Sequence, residues 1–302
     1  MRSLIGYLAI GIIKLLGLIS LSRAQKLGAF IGNRLMKKRT RMREVARVNL
    51  GLVYPEMTKG QREELLRNTM IETGKTLGES GPMWGYESAR GAALIKRVHG
   101  EELFDELLAQ PHGAILLAPH LGNWEIINNY VAQKNTDITI MYRPLKLPSF
   151  NSWMVKRREL VGCKLVPTTR DGVMGLFDTL NRGELVGFLP DQEPRPKSGV
   201  FAPFMGHPAL TPKLPHEMLT KTGAKALYAF AKRLPDAEGF ELYFIQPEDD
   251  LYSDDVVTSA TSMNRGIAQC IDVCPEQYQW GYKRFKRQPD GKLSPYIAAK
   301  VP

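Results

Sequence analysis

From about residue 90 onward the chain alternates short apolar runs with amphipathic stretches, and few architectures accept that rhythm. The apolar runs at 93–98, 113–119, 137–142, 163–167, 184–189, 224–231 and 240–246 predict strands. The stretches at 100–110, 123–134, 148–161, 172–182, 212–222 and 256–273 predict helices. A strand that feeds a helix and then another strand must bury both, so the pattern predicts an α/β sheet covered by helices on its two faces. Upstream, residues 58–80 have helical periodicity with Thr58 as the N-cap. The stretch "PDQEPRPKSGVFAPFMGHPA" (190–209) is rich in Pro and Gly and reads as a loop, long enough to be functional or mobile.

The charge of the chain is unevenly spread. The net charge is +10, and residues 1–50 account for all of it, with eleven Lys/Arg against the single acid Glu44. The remainder is neutral, whereas a nucleic-acid binder carries its basic stripe on the folded body, so nucleic acid is not an expected partner. The basic run "NRLMKKRTRMREVAR" (33–47) follows the most hydrophobic segment, "SLIGYLAIGIIKLLGLISLS" (3–22), which approaches the ~20 residues that cross a bilayer. The segment predicts a helical membrane anchor, either spanning or lying in the interface, because Lys14 sits near its middle. The bases after it place the body on the cytoplasmic side and add attraction to anionic lipid. The partition is an anchor (1–22), a basic membrane-proximal helical segment (23–90) and a catalytic α/β domain (91–302).

Three cysteines, Cys163, Cys270 and Cys274, give an odd count without a CxxC pair, as in a reducing compartment. Cys270 and Cys274 lie one helical turn apart, but no histidine or third cysteine is near them in sequence, so no metal site is expected.

Chemistry concentrates where "LLAPHLGNWEII" (116–127) passes from buried strand to helix. Pro119 ends the strand, so His120 emerges at a strand's carboxyl end, where α/β folds place their sites. Asn123 fits an N-cap, which puts Glu125 in the first turn, able to reach back to the imidazole and fix its tautomer. Capping or plain surface roles for His120 and Glu125 remain the alternative. No GxSxG and no nearby cysteine supplies a nucleophile, so a substrate hydroxyl would take that part. Arg143, Arg157, Arg158 and Arg170 could hold anionic head groups through bidentate contacts, or be ordinary surface charges.

The block "PHLGNWE" resembles the His-x4-Asp/Glu motif of lysophospholipid-type acyltransferases and, more narrowly, the late acyltransferases of lipid A biosynthesis. "MYRP" with Arg143, "RDG" with Arg170 and Asp171, "FLPDQ" with Asp191 and Gln192, "VFAPFMG" and "EQYQWGYKRFK" with Trp280, Arg284, Phe285 and Lys286 resemble the same family in order. The likeness covers nearly the whole chain. The Glu-Gly-Thr-Arg-like block of glycerophosphate acyltransferases is missing, which favours a glycolipid acceptor.

The resemblance implies a mixed sheet flanked by helices, lysophospholipid acyltransferase-like. It implies a membrane-anchored O-acyltransferase at the bacterial inner membrane. The enzyme would move a fatty acyl chain from acyl carrier protein, or a CoA thioester, to a hydroxyacyl chain of a lipid A precursor. His120 would be the base and Glu125 its orienter. Asn123, Arg143, Arg157, Arg170, Asp171, Asp191, Arg284 and Lys286 would meet substrate, with no metal or cofactor. Another membrane glycolipid as acceptor, or a non-catalytic membrane adaptor, are the alternatives.

Overall fold

The structure, a computed structural model, describes residues 2–302. The chain opens with helices α1 (Arg2–Gly17), α2 (Leu21–Lys37), α3 (Arg41–Val53), α4 (Lys59–Gly85) and α5 (Ser88–Ala92). The body then runs β1 (Ile95–His99), α6 (Glu101–Leu108), β2 (Ala114–Leu117), α7 (Ile126–Gln133), β3 (Ile138–Tyr142), α8 (Pro148–Glu159), β4 (Cys163–Pro167), α9 (Arg170–Asn181) and β5 (Leu185–Phe188). It continues with β6 (Gly199–Phe204), β7 (His207–Pro212), α10 (Leu214–Thr222), β8 (Lys225–Arg233), β9 (Phe240–Ile245), α11 (Val256–Val273) and α12 (Pro295–Ala298).

Among the described residues the strands form one seven-stranded sheet in the order β1-β9-β8-β2-β5-β3-β4, with β6 and β7 as a separate pair. Strands β8, β2, β5, β3 and β4 run parallel, and β9 turns antiparallel to β8. The mixed sheet flanked by helices is therefore present, and every expected strand begins and ends within two residues of its expected place. Central β2 shows why. Its four residues are all buried, because successive side chains enter opposite cores. Ile115 and Leu117 join Val186, Tyr228, Leu176 and Met263 on one face. Ala114 and Leu116 join Leu227, Phe104, Ile127 and Val131 on the other.

The apolar segment at 3–22 departs from the single anchor helix expected. Helix α1 ends at Gly17, and Ser20, with extended backbone, caps α2 by accepting from the Arg23 amide. At 1.5 Å per residue α1 is roughly 24 Å long, short of a ~30 Å hydrocarbon core. No helix among the described residues is long and apolar enough to cross a membrane. Both helices nevertheless turn apolar side chains outward: Leu4, Leu8, Ile12, Leu15 and Leu18 from α1 and the turn after it, and Leu27, Phe30 and Ile31 from α2.

Their inner faces pack on α4 with almost no side chain between the backbones. A Cβ on Gly28 of α2 would stand 2.3 Å from the carbonyl oxygen of Gly74, and one on Gly74 would stand 2.1 Å from that of Gly28. Helix α3 is tied to the far end of the chain through buried Asn49. Its amide donates to the carbonyls of Trp280 (2.7 Å) and Tyr282 (2.8 Å), and its oxygen accepts from the Tyr296 hydroxyl at 2.5 Å.

Candidate active site

His120 follows β2 at the carboxyl edge of the sheet, in a loop that closes over β8. Gly122 makes that crossing possible: its φ is +60°, and a Cβ there would lie 1.9 Å from the Ala231 carbonyl oxygen. The loop is fastened by backbone bonds on both sides. The Gly122 amide donates to the Gln277 carbonyl (3.1 Å), the Asn123 amide to that of Ala231 (3.0 Å), and the Gln279 amide to that of His120 (3.1 Å).

The acid that meets the imidazole is Asp191, three residues past neighbouring strand β5. Its Oδ1 lies 2.7 Å from His120 Nδ1, and its Oδ2 accepts the His120 backbone amide at 2.8 Å. Asp191 is buried, with only 2% of its surface exposed. Burial pushes its carboxyl up, but the His120 charge and the bonds from His120 outweigh that and hold it below its ordinary value. An ionised Asp191 accepts only, so Nδ1 carries the proton and Nε2 keeps its lone pair. Nε2 faces the Gln192 amide at 3.2 Å, and the same amide donates to Gln279 Oε1 at 3.2 Å. The Trp124 ring stands edge-on to His120, with 4.9 Å between centroids. Behind Asp191, the buried Tyr278 hydroxyl has its pKa raised by burial and by the Asp191 charge.

Glu125, expected to orient the imidazole, is engaged elsewhere. It is the N-cap of α7, a place expected for Asn123, and its carboxylate forms a two-pronged pair with Arg158 of α8, Nε to Oε2 at 3.0 Å and Nη2 to Oε1. The physical reason is the charge on α8: a fixed guanidinium outcompetes an imidazole already bonded to a buried aspartate. Arg158 lies over the Trp84 ring at 5.9 Å, beside an aromatic group in which Trp84, Phe150 and Trp153 stand pairwise 6.0 Å apart.

The remaining expected residues divide. Asn123 is buried, and its amide points inward to Glu79 Oε2 at 2.8 Å. Asp191 likewise faces His120 and not solvent. Arg284 is 2% exposed and bonds only neutral acceptors: the Leu210 carbonyl (2.8 Å), Thr211 Oγ1 (3.0 Å) and Asn264 Oδ1 (3.3 Å). It braces β7 against α11, and burial lowers its pKa. Arg157 donates its Nε to the Trp84 carbonyl. Arg143, Arg170, Asp171 and Lys286 are exposed.

Arg143 directly follows β3, and Arg170 follows β4 by three residues, at the edge that carries His120. At ~4.8 Å per strand spacing those strands lie roughly 10–15 Å from β2. A polar groove of about 700 Å³ lined by Asn33, Lys37, Glu63 and Arg67 shares no residue with this site. Each cysteine thiol is buried and pushed up by that burial, those of Cys163 and Cys274 to about 12, so none is a ready nucleophile.

Sequence reading missed the link between Asp191 and His120, and the part of Gln192 and Gln279. "FLPDQ" was the available signal, but pairing it with His120 requires knowing that β5 lies next to β2.

The structure thus sets a histidine braced by a buried carboxylate at the carboxyl end of a parallel strand, with exposed arginines at the same sheet edge two and three strands away. The sequence model described as bacterial lipid A biosynthesis acyltransferase matches residues 1–287, so the chain belongs to that family and is an acyltransferase. It is 28% identical over 291 residues to the lipid A biosynthesis lauroyltransferase of Escherichia coli (strain K12), covering 96% of this chain and 94% of that one. It is 29% identical over 272 residues to the palmitoleoyltransferase of the same organism (90% and 87% covered) and 26% over 275 residues to its myristoyltransferase (90% and 82%).

Proposed function

We propose that this protein transfers a fatty acyl chain from a carrier thioester, acyl carrier protein or CoA, to a hydroxyl on an acyl chain of a lipid A precursor. The observation that carries the mechanism is the 2.7 Å contact between Asp191 and His120 Nδ1, which leaves Nε2 to accept a proton. Nε2 takes the proton of the acceptor hydroxyl as its oxygen attacks the thioester carbonyl. The tetrahedral intermediate expels the thiolate, which takes the proton back from the imidazolium. Asp191 stabilises the imidazolium between those steps, and no covalent acyl-enzyme forms. Glu125 and Arg158 shape the wall beside the base. Arg143 and Arg170 meet anionic head groups, with Lys286 contributing charge.

The outward apolar faces of α1 and α2, flanked by Arg23, Lys26, Lys37, Lys38 and Arg39, rest on the inner membrane from its cytoplasmic side as an interfacial anchor. The test is incubation of the purified protein with a tetra-acyl lipid A precursor and a panel of acyl thioesters, read by mass spectrometry. One added acyl chain is expected, with His120→Ala slower by ~10²–10⁴-fold. Wild-type turnover by folded His120→Ala, or an acylated protein on the pathway, overturns the mechanism.

A further inference from the structure

We propose that Glu79 and Asn123 are positioning residues for the acyl transfer: the carboxylate of Glu79, through the amide of Asn123, locks the His120 loop to helix α4. The inference rests on the reading of His120 as the base. Glu79 has none of its surface exposed, yet each carboxylate oxygen accepts two bonds. Oε1 accepts from Gln25 Nε2 (2.7 Å) and Arg233 Nε (2.5 Å), and Oε2 from Arg233 Nη2 (2.6 Å) and Asn123 Nδ2 (2.8 Å). Every lone-pair direction of the carboxylate is used.

The cluster is also balanced in charge. Arg233, itself 2% exposed, pairs with Glu72 at 2.7 Å as well, and Lys75 pairs with Glu72 at 2.6 Å. Four elements thus converge on one carboxylate: α2 through Gln25, α4 through Glu79 itself, β8 through Arg233, and the His120 loop through Asn123.

The bond to Asn123 differs from the others because it is the shorter of two side-chain ties of this loop to α4, the other being the long 3.5 Å contact of the Thr76 hydroxyl with the Gly122 carbonyl. The backbone bonds of Gly122 and Asn123 run to Gln277 and Ala231, and Gln277 is in turn bonded to Arg233: its Oε1 accepts the Arg233 amide at 2.8 Å. Arg233 and Glu79 therefore reach the loop by three routes: through Asn123, through Gln277, and through Thr76, whose hydroxyl accepts from Arg233 Nη2 at 2.9 Å. His120 lies three residues from Asn123, so a rotation of the loop about its remaining bonds moves Nε2 relative to a bound hydroxyl. Displacements near 1 Å lower turnover by ~10²-fold without emptying the substrate site. A structural role alone would lower stability and leave the turnover of the folded fraction intact.

The test compares Asn123→Ala, Asn123→Asp and the exchanged pair Asn123→Asp with Glu79→Gln, each measured for kcat, KM and melting temperature. The exchange keeps a carboxylate–amide bond and the net charge across the same contact, with donor and acceptor reversed, and Arg233 Nη2, 2.6 Å from Glu79 Oε2, must turn to the carboxylate introduced at 123. Expected is a kcat loss of ~10²-fold for Asn123→Ala with KM within about threefold of wild type. Asn123→Asp, which sets two carboxylates together, should be worse, and the exchanged pair should recover at least tenfold over it. Wild-type kcat in folded Asn123→Ala, or no recovery in the exchanged pair, overturns the proposal. If Asn123→Asp does not fold, Asn123→Ala decides, read against wild type. Should His120→Ala keep its turnover, the reading of the base fails instead, and the two failures are told apart.

Discussion

The His120 loop and the α1–α2 pair are both fastened to α4, and they are built in opposite ways. The loop is held by short polar bonds with fixed directions: Asp191 on the ring and backbone of His120, Gln277 and Ala231 on the amides beyond, Glu79 on Asn123. The helix pair meets α4 largely through glycine contacts, with Gln25 as its bond to Glu79, and its outer face is covered in undirected apolar side chains. Directional bonds specify one geometry, as a proton transfer demands. An apolar face accepts any fluid apolar partner, as the proposed contact with lipid demands. Precision and tolerance are thus separated by one helix.

Substitutions at Asp191 should break that division most severely. Asp191→Asn frees Nδ1 to take the wrong tautomer, and a ~10²–10⁴-fold loss of acyl transfer is expected, with vesicle binding unchanged in a flotation assay. Glu125→Gln sharpens the contrast. It strips the counter-charge from Arg158, so the first readout is stability, a loss of about 3 kcal/mol in urea unfolding, while acyl transfer by the folded protein should fall less than in Asp191→Asn.

On the other side of α4, Gly28→Ala drives a methyl into the Gly74 carbonyl and should cost about 1–3 kcal/mol or more by the same measurement. Replacing Lys37, Lys38 and Arg39 by Gln should weaken binding to anionic vesicles by roughly 1 kcal/mol per charge, an effect erased by high salt. Turnover on detergent-dispersed substrate should not change.

The smallest expected effect is one of pH. Because the folded-state pKa of Asp191 is depressed, its stabilisation is complete above the ordinary value of 3.8 and is lost as the pH falls through the lower folded value. The stability gap between wild type and Asp191→Asn should close as the pH falls below about 4, as followed by urea midpoints.

The sheet was legible because its strands are short apolar runs between helices, and that pattern fixes element type whatever the strand order. The hairpin β6–β7 was not, and 190–209 reads as loop throughout, because Pro203 and Pro208 argue against strands. The two prolines in fact oppose each other in a two-stranded ribbon, where a missing ladder donor is tolerated. The turn between them has positive φ at both Met205 and Gly206, the two-residue turn that a hairpin prefers.

At the site, His120 was legible from a strand ended by Pro119. Its partner was not, because five residues separate His120 from Glu125 in sequence, while Asp191 lies 71 residues away and arrives only through the pairing of β2 with β5. Arg284 was misjudged for a related reason: a base among aromatics looks like a surface residue until α11 and β7 are seen to close over it.

The bond between Asn49 and the carbonyl of Trp280 spans 231 residues of chain. At the usual ~5–20 residues per second of synthesis, roughly 10–50 s separate the appearance of its two halves. Helices α1 and α2, with their apolar faces, are complete before any strand of the sheet exists. Those faces therefore stand uncovered while the rest is still being made, and Asn49 can close α3 into place only once Trp280 and Tyr282 have been added.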